Sequence, residues 1–185
     1  MLHWMTLLGG FSMDDVVIFP RPGKEVTALL SPEDLEVLCQ TGVLCPFSQG
    51  LFQPFQSLSL SYSMTNSSVV VFGATDMFSE LAIECVTGSV IERVSKGGAL
   101  LTQNFANSSL RQFVACATAL HSRFPFYSDH DGNDVFAAVS DDVRSMVAQI
   151  DVKAAEPDTF WGTVCDDIAI GDWSSEDIEA ARWLE

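Results

Sequence analysis

The sequence predicts an α+β fold, a mostly antiparallel sheet with helices packed on one side. Three observations carry that expectation. Short β-type runs follow one another with tight turns between them, an arrangement that favours antiparallel pairing. One amphipathic stretch, Asn107 to His121, has the spacing of a core helix. The chain after it is acidic and has helical periodicity. The 185 residues show no internal repeat and no linker, and they suit one domain, residues 1–185, with a core of its own.

Taken in order, residues 14–19 read as a short strand stopped by Pro20 and Pro22. Ser31-Pro-Glu-Asp opens a helix, with Ser31 as N-cap, Pro32 at its first position and Asp34 three residues on. Leu35, Leu38 and Cys39 form its inner face, and Gly42 is placed to end it as a left-handed cap. Residues 43–46 are an extended exit. Residues 47–68, rich in Ser, Gln and Phe, read either as a long loop with aromatic anchors or as weak strands. Residues 69–73 are a buried strand by composition. Residues 81–86 and 89–94 form a hairpin around Thr87-Gly88. Gly97-Gly98 turns the chain into a further short strand over 99–102.

The central helix follows. Leu110, Phe113, Val114, Ala117 and His121 share one face. Asn107 or Ser108 can cap it, and Ser109 with Gln112 also fits a capping box. It ends before Pro125. Ser128 to Asn133 is a turn-forming cluster, and a second helix runs from about 134 to 153 on the stripe Val139, Val143, Met146, Val147 and Ile150, entered by Val135 or Phe136. Pro157 breaks it. Phe160-Trp161 opens a third helix that Gly171 ends, and Ser174 begins a last one.

The formal net charge is −16, and it is unevenly placed. Residues 129–185 hold 15 Asp and Glu against 3 Lys and Arg, a net of −12, whereas residues 1–128 carry a net of −4. Direct binding to nucleic acid or to an anionic membrane needs positive charge, which argues against both. A basic protein would instead be attracted. The competing reading is that the acid serves solubility alone. Five cysteines, Cys39, Cys45, Cys85, Cys116 and Cys165, form no Cys-x-x-Cys pair and read as reduced, buried thiols of a cytoplasmic protein. The apolar first ten residues lack a basic start and a cleavage site, and no run approaches the ~20 apolar residues of a membrane span.

Chemical motifs are sparse. Asp129, Asp131 and Asn133 resemble the first half of an EF-hand loop, but Asp134 stands where Gly is needed and Ser140 where Glu is needed. The favoured reading is a polar turn whose Asn133 or Asp134 caps the next helix. His130 sits beside acids, and His121 has no second histidine four residues away to build a zinc face. Cys116 and His121, five apart on a helix, diverge by about 140° and are poorly aimed as nucleophile and base. The pairs Asp14-Asp15, Asp141-Asp142 and Asp166-Asp167 are adjacent in sequence, so their side chains point apart. No nucleophile elbow, phosphate loop or dinucleotide motif is present, and no cofactor is expected. Of Trp4, Trp161, Trp173 and Trp183, Trp161 reads as core. Trp173 reads either as a partly exposed partner anchor or as packing for the tail.

Four stretches in order carry a family resemblance. They are Leu35-Glu-Val-Leu-Cys-Gln-Thr-Gly-Val-Leu-Cys-Pro46, Cys85-Val-Thr-Gly-Ser-Val90, Phe105-Ala-Asn-Ser-Ser-Leu-Arg-Gln-Phe113, and Phe160-Trp-Gly-Thr-Val-Cys-Asp-Asp-Ile168 with Gly171. Together they resemble SUKH-superfamily immunity proteins of the fourth, actinobacterial-type subfamily, over roughly residues 26–172. The family's Gly-Leu-Pro has become Gly42-Val-Leu-Cys-Pro46, residues 47–68 match least, and 173–185 look like a C-terminal extension. The resemblance implies a SUKH-like fold and a non-enzymatic protein that binds and neutralises a polymorphic toxin, usually one attacking nucleic acid. The implied partner is a basic nuclease or deaminase toxin, whose substrate surface an acidic inhibitor could cover. On that reading the candidate partner-binding residues are Asp129, Asp131, Asp141, Asp142, Asp166, Asp167, Asp172 and Trp173. The rival readings are a scaffold or regulatory protein on the same fold and a metal-dependent hydrolase using the carboxylates of 129–134.

Overall fold

The computed structural model describes residues 16–44, 51–97, 99–128 and 130–174. Trp4, the Asp14-Asp15 pair, Cys45, Gly98, Asp129, Trp183 and the helix expected beyond Ser174 lie outside the described residues.

Strands β1 (Val16–Val17) and β2 (Val43–Leu44) pair antiparallel as a small sheet. Strands β3 (Gln53–Tyr62), β4 (Ser68–Ala74), β5 (Ser79–Glu84), β6 (Val90–Lys96) and β7 (Ala99–Asn107) form a five-stranded antiparallel sheet in chain order. The helices are α1 (Lys24–Thr27), α2 (Pro32–Glu36), α3 (Leu110–His121), α4 (Asn133–Ile150) and α5 (Phe160–Ile170). This is the α+β fold that the sequence predicts, with a mostly antiparallel sheet.

Strand alternation divides the sheet's apolar residues between its two faces. Val70, Phe72, Leu81, Ile83 and Val90 join the main core with residues of α3, α4 and α5. Val69, Val71, Ala82 and Ile91 form a second, smaller cluster with Phe55. The long helices thus pack on one side. Phe113 of α3 is the centre of the main core, with its ring 5.3 Å from Phe52, 5.8 Å from Phe72, 6.1 Å from Phe160 and 6.0 Å from Trp161. Rings at such spacings contribute packing area and favourable tilted contacts. The stripe residues Leu110, Phe113 and Ala117 are fully buried, while His121 is only half-buried.

Several local expectations change. The described part of 47–68 includes a ten-residue strand, β3, so the strand alternative holds there. Its alternation is faint because it is an edge strand with mostly exposed residues and a register shift between Pro54 and Ser59. The exit at 43–44 is strand β2. The 99–102 strand continues to Asn107, and of the starts open for α3 the Ser109 one holds, with Ser109 as the N-cap accepting from the Gln112 amide at 3.3 Å. The hairpin loop spans 85–89 rather than two residues, with Gly88 at φ +75°. The capping expectation for α4 is corrected. Neither Asn133 nor Asp134 caps it; Gly132 is the N-cap and supplies no side chain. The local bonds go instead to Asp131, which accepts from the Ser128 amide and hydroxyl. A helix end without a side-chain cap leaves amides to water, as an exposed turn permits. Helix α4 stops at Ile150, and Lys153 lies in a 3-10 turn over Val152–Ala155. Thr159 caps α5, and Gly171 ends it at φ +98° in the left-handed region, as the sequence predicts.

Candidate partner-binding face

The Asn-Ser-Ser-Leu and Phe-Trp motifs meet in one buried network. Asn107 ends β7 and is fully buried. Its Oδ1 accepts from the Trp161 indole Nε1–H at 2.7 Å, and its Nδ2 donates to Asp151 at 3.2 Å. The same Asp151 carboxylate accepts from the Ser108 amide at 2.6 Å and from the Ser108 hydroxyl at 3.1 Å. Gln112 donates to the Ile150 carbonyl. These bonds tie the β7–α3 junction to the end of α4 and to α5. Every polar atom named here has a partner inside the chain, so the network positions helices and presents no reactive group to solvent.

That scaffold sets out the acidic side chains. Asp141, Asp142, Asp166 and Asp172 are exposed, and Asp167 is half-exposed. Asp141 and Asp166 both act on the Cys165 thiol, and Asp172 and Asp166 both act on Asp167. Asp141, Asp166, Asp167 and Asp172 therefore share the α4–α5 side. Arg144 lies among them and pairs with Asp166 at 3.0 Å. Asp142 is turned towards the end of α3, where it pairs with Arg123 at 3.0 Å. Asp131 stands apart in the turn before α4. Burial first, then Asp172 and Asp166, pushes the Asp167 carboxyl above its ordinary range.

Trp173 is buried, with 9% of its surface exposed. Its ring lies 6.1 Å from Phe126, and its amide donates to the Tyr127 hydroxyl, which in turn donates to the Ile168 carbonyl. The reading as a partly exposed anchor is corrected; the ring packs the end of α5 onto the segment after α3. The aromatic neighbours that bury it, Phe126 and Tyr127, are about 46 residues earlier, beyond any periodicity signal.

Two residues outside the expected set border this side. Asp134 and Arg123 line an open groove of about 500 Å³ with Phe126, Val135, Ala138 and Asp142. Asp134 lies seven residues, about two helical turns, before Asp141, but Arg123 carries no sequence signal for this place.

A family model described as SUKH-4 immunity protein matches residues 59–167, from β3 to α5. The chain belongs to the SUKH-4 immunity protein family. The match takes in the Asn107–Trp161–Asp151 network and most of the acidic side. No curated protein and no solved structure matches. Membership in SUKH-4 gives the chain an immunity function, the binding of a cognate toxin, in a family that is generally non-catalytic.

The four cysteines among the described residues of this SUKH-4 protein are free thiols. Burial pushes the Cys116 thiol up to about 12 and the Cys165 thiol up to about 11. Cys39 and Cys85 are raised by burial as well. A thiol so raised stays protonated at neutral pH and is a poor nucleophile or metal ligand. Among the described residues no group of three or more His, Cys, Asp or Glu is placed to hold a metal ion, and no helix is long and apolar enough to cross a membrane.

Proposed function

We propose that this SUKH-4 protein neutralises a toxin that acts on nucleic acid, and does so by covering the toxin's basic surface with its own acidic side. The observation that carries this reading is the gathering of Asp141, Asp166, Asp167 and Asp172 on the outer side of α4 and α5, with Arg144 set among them. Such carboxylates repel one another, and after burial, the largest cause, Asp172 and Asp166 also push the Asp167 carboxyl up. A cationic surface laid against them relieves it and competes with phosphate for the same toxin groups. Asp129, Asp131 and Asp142 extend the negative field, and Trp173 contributes from beneath by fixing the end of α5.

The test is protection and binding together. Wild-type protein co-expressed with its cognate toxin should rescue growth, and the purified pair should form a complex. The double charge reversal Asp141→Lys with Asp172→Lys should weaken the complex by about tenfold or more, as loss of charge complementarity does. Unchanged affinity would move the interface off this side of the molecule.

A further inference from the structure

The groove between α4 and the segment after α3 has a floor and a rim of different chemistry. Phe126, Val135 and Ala138 supply apolar surface, and Asp134 and Asp142 supply carboxylates. Asp134, Ala138 and Asp142 follow one another at four-residue steps on α4, so the two acids flank a position with almost no side chain. Val135 is 40% exposed and adds apolar surface to the groove. Arg123 neutralises Asp142, but the two side chains are 39% and 64% exposed. An ion pair so exposed contributes little and exchanges readily for another cation. Asp134 has no ion pair among the described residues.

We infer that this groove receives an arginine or lysine projecting from the toxin, its methylene stem on Val135, Ala138 and Phe126 and its charged head against Asp142, with Asp134 about 12 Å along α4 at the other end of the groove. The inference rests on the function proposed above and specifies where on the protein the toxin is gripped. Charge complementarity selects this occupant. An apolar surface with a carboxylate at each end matches a side chain with an apolar stem and a cationic head. A second copy of this chain, with its own net charge of −16, would be repelled from the same place. Within the groove, the incoming cation takes the Asp142 oxygens now shared with Arg123, and Arg123 swings to solvent.

The experiment titrates a catalytically inactivated cognate toxin domain against five proteins by calorimetry. These are wild type, Ala138→Trp, Asp134→Lys, Arg123→Ala and, as a control on the turn between β4 and β5, Met77→Trp. Ala138 and Asp134 are both exposed, so neither change disturbs the core, and thermal melts verify that. Ala138→Trp should fill the groove and Asp134→Lys should reverse its rim, each weakening binding by about tenfold or more, while Met77→Trp binds as wild type. Arg123→Ala should bind as tightly as wild type or tighter, because it frees Asp142. Wild-type binding with both groove variants within about threefold of it would overturn the groove assignment and leave the immunity reading standing. Failure of wild type itself to bind or protect would overturn the underlying reading, and the groove assignment with it.

Discussion

The indole N–H of Trp161 donates to the side-chain oxygen of Asn107 at 2.7 Å, across 54 residues of sequence. Both residues are fully buried. The contact joins the end of the sheet to α5, and Asn107 passes the connection on to Asp151. Removing Asn107 strands an indole donor and one bond of a buried carboxylate. Asn107→Ala should therefore cost about 2–4 kcal/mol, more than its few lost atoms imply. Trp161→Phe leaves only the Asn107 oxygen unsatisfied and should cost about 1–3 kcal/mol. Urea unfolding of the three proteins at equal slope measures both. A double mutant that loses the plain sum of the two would show that the bond carries no coupling energy.

Asp151 is the second test of the same junction. It is 5% exposed and accepts three hydrogen bonds, two of them from Ser108. Bonds to a charged acceptor are stronger than neutral ones. Asp151→Ala should destabilise by about 3 kcal/mol and loosen the start of α3, seen as faster amide exchange at Ser108 and Asn107. Asp151→Asn keeps an acceptor oxygen and should lose less. Equal losses in the two variants would mean that the charge and its hydrogen bonds contribute nothing beyond packing.

The sequence legibility of this junction was uneven, and the reason is physical. The apolar stripe of α3 was readable because burial imposes a period of about 3.6 residues on consecutive positions. The caps at Ser31 and Ser109, and Gly171 at the end of α5, were readable because each acts on backbone within a few residues. Asn107 was readable only as a capping residue. Its partners are 44 and 54 residues away, and no local pattern encodes them. The edge strand β3 was blurred for the opposite reason, since little burial leaves little pattern. For the acidic side, composition gave the charge but not its grouping. Arg123 and Arg144 decide which acids face α3 and which face α5, and both pairings span about 20 residues. Burial of Trp173 needed the packing of Phe126 and Tyr127 to be known first.

Asp167 supplies a pH test. Its folded-state carboxyl holds a proton more tightly than the ordinary value of 3.8, through burial and then through Asp172 and Asp166. Folding therefore binds protons at this site. The ionised carboxylate weakens the fold at pH above the raised value, and the penalty fades as pH falls through that value towards the ordinary one. It also lies in the last turn of α5, where the helix dipole opposes negative charge. Asp167→Asn should melt higher than wild type at pH 7, and the two curves should converge in the acid range. A variant less stable than wild type at pH 7 would contradict this. Because the same residue belongs to the proposed binding side, the stabilised variant should also bind toxin less well.

Arg93 links three strands of the sheet. It is 7% exposed; its Nη1 donates to Glu80, directly opposite on β5, and its Nη2 donates to the Tyr62 carbonyl at the end of β3. A guanidinium can serve two acceptors in fixed directions, whereas an ammonium on a lysine stem cannot reproduce the fork. Arg93→Lys should cost about 1–2 kcal/mol and Arg93→Ala somewhat more, with amide exchange rising first at the Tyr62 end of β3. Protection lost evenly across the sheet would mean that the link is not local to β3.

The acidic side makes a kinetic prediction that separates steering from contact. Asp141 and Asp172 are exposed and have no ion pair among the described residues. Their charges attract a basic toxin before it docks, so Asp141→Lys and Asp172→Lys should chiefly lower the association rate. Groove changes such as Ala138→Trp should chiefly raise the dissociation rate. The screening length is about 30 Å at 0.01 M salt and about 10 Å at 0.1 M. The rate loss from charge reversal should therefore shrink as salt is raised, whereas the groove effect should persist. Surface-immobilised toxin read over a salt series distinguishes the two. Dissociation rates that change equally for both classes at every salt concentration would show that these two charges act after docking and do not steer the approach.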